Sequence, residues 1–183
     1  DTVGKGQKYS NEIIGKVHTT GNNLGIPERA LRATLDDLEE DIEDDTGVAV
    51  KMPLNQQGAD VLLVTPSADF FAEPHVDGLI GYAKVFHAAG VSWTLSSYAS
   101  EAANFAVFIG SYDQMSSITE RIRKAAEDLG VKRIIIGECG HAWRVAYNFW
   151  NTLVGPFDFL DQNYPVPQHI CEFTNDLINS GKL

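Results

Sequence analysis

Arg133-Ile134-Ile135-Ile136-Gly137-Glu138-Cys139-Gly140-His141-Ala142-Trp143-Arg144 is the stretch whose reading decides the fold. Three consecutive isoleucines are too few for a helix core. They suit a strand of a parallel sheet, which is covered on both faces and so reads as an unbroken apolar run. A glycine-flanked cysteine follows, and then a helical pattern: Ala142, Val145, Ala146, Phe149, Trp150 and Leu153 share a broad face until Gly155-Pro156 ends it. Cys139 therefore leaves a strand and enters a helix. Ligands in open α/β sheets bind outside the carboxyl ends of strands, and free N-H groups at a helix start favour negative charge. A thiol there is expected to have a lowered pKa, suited to metal ligation or nucleophilic attack. The competing reading is a buried cysteine used as a small hydrophobe.

Outward from this stretch, strands and helices alternate. Asp60 to Thr65 reads as a buried strand ended by Pro66-Ser67, and Pro74 to Ala89 as a helix with Val76, Leu79, Ile80, Ala83 and Phe86 on one face and Gly90 as its stop. Val91 to Leu95 is a second strand, followed by a loop holding Ser96, Ser97, Ser100 and Glu101. Met115, Ile118, Ile122, Ala125 and Leu129 then mark a helix capped near Asp113 and closed by Gly130. Tyr164-Pro165-Val166-Pro167 can only be an edge strand or a connector, because proline cannot donate to a sheet. A last helix carries Ile170, Phe173, Leu177 and Ile178. The pattern predicts an α/β fold: a parallel sheet of about four strands, right-handed crossovers, and helices on both faces.

Before this lobe, residues 1 to 26 are polar and dotted with glycine, and read as an extended arm. Pro27 then opens a helix in which Leu31, Leu35, Leu38 and Ile42 form an apolar seam up to Gly47. Its other face holds Glu28, Asp36, Asp37, Glu39, Glu40, Asp41, Glu43, Asp44 and Asp45 against only Arg29 and Arg32, and is expected to face water, with docking onto a basic partner as the alternative. The division is thus an arm and acidic helix over 1-47 and an α/β lobe over 48-183.

The 183 residues are 44% hydrophobic with a net charge of -11. No apolar run approaches the roughly 18 residues of a membrane span. Nucleic acid is excluded as a partner, since phosphate binding needs clustered Lys and Arg. Two cysteines on different elements fit a reducing, cytoplasmic compartment. The chain opens on Asp1 and stops at Leu183 after a helical pattern, as a piece of a larger protein would.

Near Cys139, the residues His141, Arg144, Asn148 and Asn151 form a polar stripe that either faces water or lines a cleft. In a cleft, His141 and Arg144 are placed to hold an anion or pass a proton. Gly137-Glu138-Cys139-Gly140-His141 invites comparison with a nucleophile elbow, with His169 as a distant base, but the elbow needs a small residue where His141 stands. No Cys-x-x-Cys exists, so a complete zinc or iron-sulfur site cannot be built from this chain. Cys171, among Ile170, Phe173 and Thr174, reads as core. A dinucleotide fingerprint is missing after the first strand, where Pro66-Ser67-Ala68-Asp69-Phe70 stands.

Gly137-Glu138-Cys139-Gly140-His141-Ala142-Trp143-Arg144, Thr20-Gly21-Asn22-Asn23-Leu24-Gly25-Ile26-Pro27 and Ser100-Glu101-Ala102-Ala103-Asn104-Phe105 together carry a family resemblance. Over nearly its whole length the chain resembles the heterodisulfide-reductase-related iron-sulfur subunits, most of all the catalytic ones of membrane-bound complexes tied to dissimilatory sulfite reduction. It looks like the linker and first half of their cysteine-rich module. The resemblance implies electron transfer at a special four-iron (4Fe-4S) cluster, between a quinol-oxidising membrane partner with its fellow subunits and a disulfide or sulfur-carrier substrate. It also implies a cytoplasmic place, peripheral on the inner face of the membrane. The family's cysteines are missing at Ser67 to Phe70 and at Glu101 to Phe105, and Ala142 replaces the second of the last pair. Only Cys139 carries over, as a ligand or near neighbour of the cluster, so this chain alone is expected not to hold a cluster. Gly137 and Gly140 would allow close approach, with His141 and Arg144 beside the site. Two alternatives stay open: a docking lobe without chemistry, and a cysteine hydrolase with Cys139 as nucleophile.

Overall fold

In the computed structural model, residues 5–65, 70, 72 and 74–183 are described. The first strand, β1 (Val61–Val64), and the isoleucine strand, β3 (Arg133–Ile136), pair in parallel over four residues. The short β2 (Trp93–Thr94) flanks β1, and β4 (Gln168–His169) flanks β3, so the order across the sheet is β2-β1-β3-β4, all parallel. Outside β2, Leu54 bridges Leu95 in the same sense. The expected four-stranded parallel sheet is present.

Successive side chains of a strand point to opposite faces, and both faces here are packed. Leu62, Val64, Ile134 and Ile136 enter one core with helices α1 (Lys5–Thr20), α4 (Asn104–Phe108), α5 (Tyr112–Leu129) and α6 (Gly140–Val154). Val61, Leu63 and Ile135 enter the other with α2 (Glu28–Thr46), α3 (His75–Ala88) and α7 (Ile170–Asn179). Each fully buried branched side chain contributes about 1.5–3 kcal/mol. Crossover hand follows the same division. The β1 to β2 connection runs through α3 on one face, whereas the return to β3 moves the other way through α5 on the opposite face, as a constant hand requires.

One expectation fails at the N-terminus. Residues 5–20 are not an extended arm but α1, whose Ile13, Ile14 and Val17 are buried against α4 and α5. Those three recur at steps of one and three, enough for a narrow apolar stripe that the scattered glycines and polar residues hide in sequence. Residues on both sides of Val48 share each core. Helix α2 behaves as read, with Leu31, Leu35, Leu38 and Ile42 buried and most of its acidic face exposed. Glu39 is the exception: its carboxylate accepts from Lys51 Nζ and from the Met52 N-H, each at 2.6 Å, and ties the helix to the approach to β1.

Of the two readings of the proline-bearing segment at 164–167, the connector holds: it stays outside the sheet and the edge strand begins one residue later, because prolines lack the donor that a ladder needs. The cap expected near Asp113 is Ser111, with the Gln114 N-H donating to Ser111 Oγ at 3.4 Å. The reading of Pro66-Ser67 as the end of the first strand falls outside the described residues.

Between α1 and α2 the chain must pass from one face of the sheet to the other, and it does so beside the loop that follows β2. Gly21, at φ +85°, turns there so closely that an added Cβ would lie 2.5 Å from the Tyr98 carbonyl oxygen and 2.6 Å from that of Ser97. Ser100 donates to the Gly21 carbonyl through its backbone N-H at 3.2 Å and its hydroxyl at 3.0 Å. Gly21→Ala therefore meets a left-handed backbone and two fixed carbonyls at once. It is expected to destabilise the chain by about 1–3 kcal/mol, read as a lower urea midpoint; an unchanged midpoint would show that the turn relaxes freely.

Candidate functional site at the carboxyl edge of the sheet

The strand order places a topological switch point between β1 and β3: the chain leaves β1 toward β2 and later returns to β1's other side. Crevices at such points, outside the carboxyl ends of the strands, are where open α/β sheets bind ligands. Cys139 sits there, as the N-cap of α6, with an unstrained extended backbone at φ -67°, ψ 100°. Its thiol is half-buried and packs against the core of its own face.

The turn from β3 into α6 is built by close packing. A Cβ on Gly137 would lie 2.7 Å from Thr65 Oγ1, so this glycine lets the end of β3 close against the end of β1. Gly140 is different: nothing lies within 4 Å of where its side chain would be, and its outer side is open. Glu138 Oε1 lies 3.6 Å from His75 Nδ1, linking this turn to the start of α3.

The electrostatics overturn one expectation. The Cys139 thiol is pushed above its ordinary value, chiefly by burial. The backbone N-H groups of Ala142 and His141 favour the thiolate but do not outweigh desolvation, and neither closes a hydrogen-bonded cap on sulfur; Glu138 and Glu101 add further opposition. Two carboxylates and lost hydration win over one helix terminus. Glu101, only 3% exposed, is a site residue that sequence reasoning placed in a loop without a role. Nothing in a single Glu among serines signals that it will be buried facing a cysteine 38 positions on.

Of the other residues singled out, His141 is exposed, and its ring meets Phe108 edge to face at 5.5 Å. Arg144, Asn148 and Asn151 are exposed too, so the polar stripe of α6 faces outward. Trp143 stacks on Tyr147 at 5.1 Å and meets His169 edge-on at 5.9 Å. Among the described residues its buried indole N-H finds no acceptor. His169, considered as a distant base, is the N-cap of α7: its Nδ1 accepts from the Cys171 N-H at 3.2 Å, while Glu172 reaches back to the His169 N-H at 2.8 Å. That capping role and the relaxed backbone of Cys139 leave no hydrolase elbow here. Cys171 is exposed, not core, because α7 buries Ile170, Phe173 and Leu177, and a position one step along a helix turns about 100° away. It borders an apolar hollow of about 520 Å³ between α3 and α7.

A cubane cluster needs four thiolates or their equivalents. Among the described residues no group of three or more His, Cys, Asp or Glu is placed to hold a metal ion. The described residues do not by themselves fit a cluster. No described helix is long and apolar enough to cross a membrane.

These features define a doubly wound α/β lobe that presents one half-buried thiol at its switch point. Over 158 residues, 84% of the chain, it is 40% identical to an Hdr-like menaquinol oxidoreductase iron-sulfur subunit of Archaeoglobus profundus. Over 155 residues, 82% of the chain, it is 39% identical to the iron-sulfur subunit 2 of the same description from Archaeoglobus fulgidus. The chain is thus homologous to a segment of the heterodisulfide-reductase-like iron-sulfur subunits, as its motifs led us to expect. It spans 28% of the length of the curated relatives it matches. No family model matches it, and no solved structure matches it significantly.

The raised thiol has a direct consequence for reactivity. With iodoacetamide, the exposed Cys171 is expected to be alkylated first, whereas Cys139 reacts slowly near pH 7 and accelerates only as pH climbs beyond the free-thiol value of about 8.5. A Cys139 rate already at its plateau by pH 7 would restore the low-pKa reading.

Proposed function

We propose that this chain is one lobe of an iron-sulfur oxidoreductase subunit, which passes electrons between a quinol-linked membrane partner and a disulfide or sulfur-carrier substrate. The observation that carries this is the place of Cys139: the one thiol at the switch point lies in a segment about 40% identical to iron-sulfur subunits. The lobe's own residues are too few to hold a cluster, so its contribution is one sulfur ligand to a 4Fe-4S centre completed by residues outside these 183.

Burial of the thiol favours this over nucleophilic catalysis. A free cysteine with a raised pKa is a poor nucleophile at neutral pH, whereas ligation by a cationic metal centre deprotonates a thiol outright. The outer side of Gly140, next in sequence to Cys139, is open, and the exposed His141 and Arg144 would stand at the rim of whatever covers the thiol. A cytoplasmic location, peripheral to the membrane through the partner, belongs to the same proposal.

A docking lobe without chemistry is the second reading, favoured by the lack of any metal-holding group among the described residues. One experiment separates the two. In the enzyme purified anaerobically with its partners, Cys139→Ala is expected to lower the iron content and abolish the paramagnetic signal of one four-iron cluster, with assembly intact. An unchanged spectrum and iron content would establish the docking reading.

A further inference from the structure

Helices α3 and α7 lie over the second core, on the face of the sheet away from the one against which Cys139 packs. The hollow of about 520 Å³ between them has no part in the function proposed above. Gly78, Gly81, Tyr82 and Val85 wall it from α3, at the spacing of one helix face along about 10 Å of axis. Ile170, Thr174 and Ile178 wall it from α7, again on one face. None of its nine wall residues is charged, in a chain that is 21% charged. Its hydrogen-bonding side chains are those of Tyr82, Thr174 and Asn175, with the thiol of the exposed Cys171 beside them.

The fold does not demand either glycine. Neither has a positive φ. A Cβ on Gly81 would meet nothing within 4 Å, and one on Gly78 would meet only the phenol end of Tyr82, at 3.8 Å. Glycine weakens a helix interior relative to alanine, so both positions lower the stability of α3 without any gain in packing. What they provide is a floor of bare helix backbone, against which a flat molecule can lie. A hollow of this volume, apolar with a few hydrogen-bonding groups, has the build of a small-molecule site. Its nine wall residues fall well short of the roughly 20–30 that a stable protein interface takes from each side. The lack of charge on the walls disfavours an ionic ligand, which would lose its hydration there without a partner.

We propose that the hollow between α3 and α7 binds a neutral, planar ring compound, with its flat face on Gly78 and Gly81, a polar substituent toward Thr174 or Asn175, and one edge beside the Cys171 thiol. The length of the α3 wall limits the ring system to about 10 Å, the size of a fused bicycle. The inference goes beyond the function proposed above, since it draws on neither Cys139 nor a cluster.

The test uses the complete subunit assembled with its partners and follows alkylation of Cys171 by iodoacetamide through peptide mass mapping. Phenylnaphthylamine serves as the neutral probe, and anilinonaphthalene sulfonate, the same ring system bearing a sulfonate, as its charged counterpart. At saturation the neutral probe is expected to slow alkylation of Cys171 at least five-fold, and the charged one, at the same concentration, less than two-fold. Gly81→Leu puts a good helix former into open space and is expected to leave iron content unchanged while removing the protection. Ile178→Glu, at a wall position that is 57% exposed and so tolerant of charge, is expected to remove it as well. Protection by neither probe, equal protection by both, or protection that survives both substitutions would overturn the inference. So would a Cys171 that resists alkylation before any probe is added, since a neighbouring part of the assembly would then cover the hollow.

Discussion

The pairing of β1 with β3 is the constraint on which the rest depends. Seven of the eight paired residues are buried, and they alternate between the two cores. A strand packed on both sides cannot slip by one residue without exchanging every side chain between environments, so register, helix placement and the position of the switch point are fixed together. The close approach of Gly137 to Thr65 is where that pairing ends, and the turn it permits brings Cys139 to the edge. The candidate site is thus a by-product of how the central pair terminates.

Much of this was legible in sequence because fully buried strands and amphipathic helices leave strong local signatures. The run Ile134-Ile135-Ile136, the seam Leu31-Leu35-Leu38-Ile42 and the spacing of Met115 to Leu129 each specify an element without reference to anything distant. The segment before Asn22 was not legible. Its helix is held by three buried side chains and by tertiary contact with α4, and tertiary packing overrides weak propensity. Cys171 was misplaced for a related reason: a helix narrow enough to bury only three positions leaves its neighbours outside, and that width is decided by the partner surface.

At the site, sequence located the sulfur and misjudged its chemistry. A helix N-terminus was expected to stabilise the thiolate, and its N-H groups do act in that direction. The opposition comes first from burial and then from Glu138 and Glu101. Locating a residue at a strand end is a matter of local pattern, whereas the sign of its pKa shift depends chiefly on how deeply the folded chain buries it.

The connector through Gly21 has a mechanical meaning. Because it carries the chain from one face of the sheet to the other and is bonded to Ser100 on the way, it acts as a strap around the β2 side of the molecule. The two cores are already joined through β1 and β3, which feed side chains into both, so the strap adds a second tether at the rim. The lobe should accordingly exchange its buried amide protons as one cooperative block, and a nick in the connector would free α1 from its tether to α2 while leaving the sheet and its two cores joined.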